Sequence, residues 1–170
     1  MFVASFTWFD LWLILHIFAV MIAFGPTFLF GAIVALGRKK PQHMAFAFEV
    51  TDFLERRVTI PVAAVVPFLG LAMIFTGHFN LWKSEWLIIS IILYTITFAF
   101  GVLVQNKNSA RMVELLNSMP PGPPPAGAEP PAEVAALGRK LQMGGAFLGL
   151  MILAILVLMV WRPGSCQGIC

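Results

Sequence analysis

LWLILHIFAVMIAFGPTFLFGAIVAL, residues 11–36, is a run of 26 residues that contains no Asp, Glu, Lys or Arg. A membrane-spanning helix needs about 20 predominantly apolar residues, so this segment alone is long enough to cross a bilayer. The rest of the chain has the same character, because 59% of its 170 residues are hydrophobic and only 11% are charged. Soluble domains average about a quarter charged residues. The sequence therefore predicts an integral membrane protein.

Three further apolar blocks follow, at residues 58–77, 86–104 and 144–161. Continuous apolar runs lack the alternating pattern of a membrane β-barrel, and a helix is the other structure that pairs every backbone polar group within lipid. We therefore expect an all-α fold, a polytopic four-transmembrane-helix bundle in a single membrane domain. A helix over 11–36 would be about 39 Å long. Because this exceeds a hydrocarbon core of about 30 Å, we expect it to tilt or to kink at Pro26.

The basic residues are distributed unevenly between the two sides of this bundle. Nine of the eleven fall in the loops that join the first span to the second and the third to the fourth, leaving Lys83 and Arg162 on the other side. The positive-inside rule then predicts cytoplasmic basic loops and both termini outside, N-out/C-out. The net charge of +3 suits such loops, so we expect no nucleic acid partner. Five aromatic residues fall at the predicted outer interface: Trp8, Trp12, Trp82, Trp86 and Trp161.

Residues 41–57 are expected to form a cytoplasmic amphipathic helical extension that runs on into the second span. Its apolar face holds Phe46, Val50, Phe53 and Leu54. Its acidic face holds Glu49, Asp52 and Glu55. The pattern is typical of a helix end that lies against its own bundle, and it also fits a surface for membrane or partner docking.

Two other segments lie outside the predicted spans. Residues 118–131 include seven prolines between positions 120 and 131, which predicts a flexible cytoplasmic linker. Residues 162–170 form an outer tail that ends with Cys166 and Cys170. In an oxidising compartment these two cysteines could form a disulfide, and as a pair they do not make a metal site.

His16 is the histidine inside the four blocks, none of which contains Asp, Glu, Lys or Arg. A proton relay or a charged-substrate carrier would therefore have no acidic or basic side chain to use. His16 is followed at helical spacing by the small residues Ala19, Ala23 and Thr27, which predicts that this face packs against the bundle. The imidazole could be an axial haem ligand. It could equally bond to a carbonyl or a hydroxyl of a neighbouring helix, with Ser90, Tyr94, Thr95 and Thr97 as candidates.

Two further positions are candidates for chemistry or assembly. His78 follows the second span on the same side as His16, so the geometry allows a haem to be held between the two histidines. Alternatively, His78 lies in the hydrated membrane interface without a ligand. Gly145 and Gly149 form a G-x-x-x-G pair in the fourth span. That spacing lets two helices touch closely, either within the bundle or between two copies of the chain.

The segment Leu11–Val20 is followed by a glycine, a charged loop, Pro61 in the second span and Trp86 at the start of the third. In this order the sequence resembles the predicted integral membrane proteins of bacteria and archaea grouped as domain of unknown function 2269, over roughly residues 8–160. The resemblance implies a four-helix protein of unassigned biochemical role in a plasma (inner) membrane.

A more distant resemblance rests on Leu15-His16-Ile17. It is similar to the start of copper-resistance D-type proteins and of haem-binding, oxygen-independent protoporphyrinogen oxidases. In the oxidases a first-helix histidine helps to hold haem, and only His16 matches that role here. This sequence has no counterpart of the arginine and the tyrosine-histidine run that follow the first span in those proteins. It also has no counterpart of the lysine in their second span.

Two functions from different classes remain open. No phosphate loop, zinc-protease motif, nucleophile elbow or carboxylate pair occurs, which leaves most enzyme classes without support. The first expectation is an accessory or structural subunit without enzymatic activity, in contact with the lipid bilayer and with a membrane protein partner or a second copy. The alternative is a haem b-binding protein for electron transfer or haem handling, with His16 as axial ligand. A small-solute permease would need a polar mid-membrane cavity, and four polar residues are too few to predict one: Thr27, Ser90, Tyr94 and Thr97.

Overall fold

A computed structural model of the chain describes residues 6–120 and 130–163. Its four long helices are each long and apolar enough to cross a membrane: α1 (Trp8–Lys39), α2 (Met44–Thr76), α3 (Glu85–Asn117) and α4 (Ala132–Trp161). Short 3₁₀ turns occupy Pro41–His43 and Leu81–Lys83 in two of the connections. The all-α fold with four membrane-spanning helices is confirmed.

Each helix is longer than the apolar block from which it was predicted. α1 begins at Trp8, three residues before the predicted start, because Thr7 and Asp10 form a capping box. The Thr7 backbone N–H donates to Asp10 Oδ2 at 2.8 Å, and the Asp10 N–H donates to Thr7 Oγ1 at 3.3 Å. α2, α3 and α4 extend past their apolar blocks at the end of the bundle that carries the α1–α2 and α3–α4 loops. We call this the basic end.

α1 and α2 form an antiparallel hairpin whose contact uses small residues. Ala19 and Ala23 of α1 are buried, as the sequence predicts, and Ala63 and Val66 of α2 are buried as well. Small side chains let helix backbones approach closely in lipid, where the hydrophobic effect gives no drive for association. α3 and α4 form the second hairpin, in which the Phe100 ring packs edge-on against Phe147, with 4.9 Å between ring centroids.

The first part of α2 directs two phenylalanines outward and buries a third. Phe46 and Phe53 point outward, 65% and 61% exposed, while Phe48 and Thr51 are buried. Phe48 packs with Met112 of α3 and Leu137 of α4 in a hydrophobic cluster at the basic end. Phe46 and Phe53 of the predicted apolar stripe thus do not pack against the bundle, and a membrane- or partner-docking role for that stripe stays a prediction.

The opposite end of the bundle is closed by aromatic contacts. Trp86, one of the five tryptophans predicted at the outer interface, is buried. Its ring packs edge-on against Phe79, and the Arg162 guanidinium lies 5.5 Å from its centroid. Trp8, Trp82 and Trp161 are exposed at this same end.

Candidate functional site

A cavity of about 560 Å³ lies between the α1–α2 and α3–α4 hairpins. All four helices contribute to its wall, which includes Thr27 and Gly31 of α1, Glu55 of α2, Tyr94 and Gln105 of α3, and Gly149 of α4. Ligand pockets in proteins are commonly about 300–1,000 Å³ and mostly apolar with a few polar groups. The cavity has the size and composition of a small-molecule site.

Glu55 lies beside the apolar block of α1. Two close contacts define the antiparallel register of α1 and α2. A Cβ added to Gly37 of α1 would be 3.0 Å from the Ala47 Cβ of α2, and a Cβ added to Gly70 of α2 would be 3.4 Å from His16 Cε1 of α1. This register places Glu55 opposite Gly31, and both residues line the cavity. Gly31 is five residues inside the apolar block 11–36, about 7 Å along the helix axis. Glu55 thus lies beside the apolar block of α1, although it precedes the uncharged block 58–77 of its own helix.

The Glu55 carboxyl group forms no ion pair with a basic side chain among the residues that the structure describes. Glu55 is 8% exposed, and no described Lys or Arg nitrogen lies within 4.0 Å of its carboxylate. The two charged residues beside it satisfy each other, because Arg56 Nε lies 2.9 Å from Asp52 Oδ2. An isolated ionised carboxylate is costly to bury unless it is paired, hydrogen-bonded or protonated.

Two π-helical turns border the cavity, and each carries one of its polar residues. The first spans Glu55–Thr59 of α2 and the second spans Gly101–Gln105 of α3. A π-turn inserts an extra residue into the helix, which redirects side chains and disturbs the regular backbone ladder, and such turns occur frequently at functional sites. Here the two turns direct Glu55 and Gln105 toward the same space.

Gln105 links α3 to α4 and leaves one acceptor unused. Its Nε2 donates to the Leu141 carbonyl at 3.1 Å, while its Oε1 is buried without a hydrogen-bond partner in the described chain. The close approach depends on Gly144, since a Cβ there would overlap Gln105 Oε1. The sequence points to Gly145 and Gly149 as packing glycines, but the close-contact glycine of this hairpin is Gly144.

Gly145 and Gly149 both line the cavity. Apart from the adjacent part of α4 itself, no heavy atom of the described residues lies within 4 Å of a Cβ added to Gly149, and the nearest to one on Gly145 is Gln105 Nε2 at 4.0 Å. Their role in assembly between copies stays a prediction. Cys166 and Cys170 lie outside the described residues, as does most of the proline-rich segment 118–131.

The hydroxyl groups of the cavity add further acceptors. Thr59 Oγ1 is buried and has no hydrogen-bond partner in the part of the chain that the structure describes. The hydroxyls of Tyr94 and Thr97 donate to the backbone carbonyls of Ala63 and Leu93, which leaves their oxygen lone pairs available. Three of the four polar residues weighed for a permease line this cavity: Thr27, Tyr94 and Thr97.

His16 lies in the contact between α1 and α2, outside the wall of this cavity. Its Nδ1 is buried without a partner among the described residues, and it would be 3.7 Å from a Cβ on Gly70. The imidazole also lies beside the backbone of Val66. The hydroxyls proposed as its partners bond elsewhere, since Ser90 and Thr95 donate to Trp86 and Ile91 carbonyls.

His78 caps the end of α2. It has a left-handed backbone, with φ of 52°, and its side chain is only partly buried. The Phe79 N–H donates back to the Ile74 carbonyl at 3.1 Å, the bond expected one residue after a left-handed cap. The haem assignment for the two histidines stays a prediction.

Sequence reasoning missed Glu55 and Gln105 because both lie beyond the ends of the uncharged blocks. One available signal was the i, i+4 row Ala47, Thr51, Glu55, which is a small and polar stripe opposite Phe46 and Phe53. Such a stripe predicts a helix face directed into a membrane protein rather than into water.

The four apolar helices agree with comparison to known families. The family described as predicted integral membrane protein, DUF2269, matches residues 10–163. The chain belongs to this family. For this DUF2269 protein, comparison with curated proteins and with solved structures gives no match. The family description gives a membrane location and no activity.

Proposed function

We propose that this DUF2269 protein binds a small solute within the membrane, in the cavity between its two helical hairpins. The observation that carries the proposal is Glu55, which is buried, lines a space of about 560 Å³ and forms no ion pair with a described Lys or Arg. Burying an unpaired carboxyl group destabilises a protein, and ionisable residues at membrane depth commonly mark substrate or ion pathways.

The wall of the cavity supports the same proposal. Gly31, Gly145 and Gly149 contribute no side-chain volume on the two helices that bound it, α1 and α4. A bundle whose only role is packing would be expected to fill this space with larger apolar side chains. Gly149 could accept one, because outside the adjacent part of α4 no described atom lies within 4 Å of a Cβ added there. An accessory or structural role, the first expectation from the sequence, stays a prediction beside this one.

Substituted-cysteine labelling tests whether a solute reaches the cavity. The native Cys166 and Cys170 are changed to Ser, and a single cysteine is introduced as Gly149→Cys in the cavity. Leu150→Cys is the matched control, because Leu150 is adjacent and 64% exposed on the outer surface of α4. The purified protein in lipid nanodiscs is treated with the neutral, water-soluble reagent 2-hydroxyethyl methanethiosulfonate.

We expect the cysteine at position 149 to react at least tenfold faster than the one at position 150. Reaction at equal rates, or at neither position, would contradict a solute-accessible cavity. Spontaneous disulfide cross-linking of two chains through position 149 would also contradict it, since it would place this face of α4 in an interface between copies.

A further inference from the structure

The polar groups that face the cavity are mainly hydrogen-bond acceptors. Glu55 contributes a carboxyl group, Gln105 contributes an amide oxygen and Thr59 contributes a hydroxyl, and none of these has a described hydrogen-bond partner. A carboxylate would repel an anion, and a neutral apolar ligand would leave it desolvated without a counter-charge. In its ionised form, Glu55 together with these acceptors therefore favours a cation.

Aromatic rings occupy much of the remaining wall. Phe24, Phe28, Tyr94 and Phe98 line the cavity, with Tyr94 and Phe98 stacked at 6.2 Å and Phe24 edge-on to Tyr94 at 6.3 Å between centroids. Aromatic faces attract organic cations, and quaternary ammonium groups are bound in this way in proteins. A hard metal ion such as Ca²⁺ instead takes six or more oxygen ligands. Within the described ranges no three His, Cys, Asp or Glu side chains come together as a metal site.

We infer that the cavity binds an organic ammonium cation, with its nitrogen beside Glu55, Gln105 and Thr59 and its apolar portion among the phenyl rings. This inference rests on the proposed function and names the chemical class of its solute. The cavity volume of about 560 Å³ is sufficient for an ammonium group that carries an aromatic or alkyl substituent.

The charges that face Glu55 from its surroundings are few. On α2 itself, Asp52 and Arg56 form an ion pair with each other. On α1, Arg38 lines the cavity and is exposed, without an ion pair to Glu55. The cavity residues of α3 and α4 are uncharged. A ligand cation is therefore attracted by Glu55 and opposed by Arg38.

The test compares two reagents of opposite charge at the Gly149→Cys position, in the background without native cysteines. The cationic reagent is 2-(trimethylammonium)ethyl methanethiosulfonate, and the anionic one is 2-sulfonatoethyl methanethiosulfonate. The labelling rate of each reagent is divided by the rate at which the same reagent reacts with free 2-mercaptoethanol. This division corrects for the intrinsic reactivity of the reagent. With Glu55 present, we expect the corrected labelling rate of the cationic reagent to be at least ten times that of the anionic reagent. With Glu55→Gln, we expect the two corrected rates to agree within twofold.

Competition supplies a second readout. Phenyltrimethylammonium should slow labelling of Gly149→Cys by the neutral reagent when Glu55 is present, and should give no protection with Glu55→Gln. Glu55→Asp retains the charge and should retain protection, which separates loss of charge from loss of fold. Arg38→Gln should preserve or increase protection, because it removes a repulsive charge.

A cation-to-anion ratio that Glu55→Gln leaves unchanged would overturn the inference, and so would loss of protection on Arg38→Gln. In both cases neutral labelling at position 149 would still support the proposed function. Absence of neutral labelling at that position would instead overturn the proposed function itself.

Discussion

Glu55 of α2 and Gln105 of α3 lie in two separate π-helical turns and line the same cavity. Each turn lies at the point where an apolar span gives way to the polar extension of its helix. A regular helix would place its side chains at 100° intervals without interruption, and the extra residue of a π-turn changes that phase. The two turns thus bring an acid and an amide, which belong to different hairpins, to one internal surface.

Gly144→Ala should lower stability through Gln105. An added methyl group would overlap Gln105 Oε1, so it would displace the amide and break its hydrogen bond to Leu141. We expect a cost of about 1 kcal/mol relative to Gly145→Ala, which gains the same helix propensity without a contact closer than 4.0 Å. Thermal unfolding in detergent, followed by tryptophan fluorescence, gives the comparison.

A double-mutant cycle identifies the cause of that effect. In a Gln105→Ala background the methyl group at position 144 no longer meets the amide, so Gly144→Ala and Gly145→Ala should shift the Tm equally. If the difference between the two alanine variants persists without Gln105, the close approach of Gly144 has another basis.

The hydrophobic cluster at the basic end predicts a second stability effect. Met112 is 1% exposed and packs with Phe48 and Leu137, so it joins three of the four helices. Met112→Ala should destabilise the protein by about 2–5 kcal/mol, because it leaves a cavity that the surrounding helices fill only partly. Met143→Ala is the control, since Met143 is 74% exposed on α4. Equal Tm values for the two variants would show that this cluster is not a core.

The number and location of the helices were predictable from the sequence, because the thickness of the hydrocarbon core alone sets how long an apolar block must be. The small-residue stripe of Ala19 and Ala23 was predictable for a similar reason, since close helix contact in lipid needs small side chains. Both features depend on local sequence alone.

The cavity was not predictable in the same way. Glu55 belongs to a segment whose apolar and acidic residues fit a helix in water, and only its register against α1 places it beside an apolar block. Gln105 acquires its role from Gly144, which is 39 positions away in the sequence. A π-turn also has no reliable sequence pattern, because it depends on which neighbours satisfy the released backbone groups. These are relationships between helices, and hydropathy describes one helix at a time.

His16 and His78 give the last prediction, which concerns the haem b alternative. His16 Nδ1 is buried without a partner among the described residues, and the imidazole lies against α2 beside the Val66 backbone. An iron ligand bond of about 2 Å needs open space in front of a ring nitrogen, and His78 lies beyond the end of α2. We therefore expect no Soret band after expression with haem precursor. The reduced-minus-oxidised spectrum of the purified protein, recorded beside His16→Ala and His78→Ala, provides the measurement. A band that His16→Ala removes and His78→Ala retains would establish His16 as a haem ligand, and the helix contact at Gly70 would then have to open to admit the cofactor.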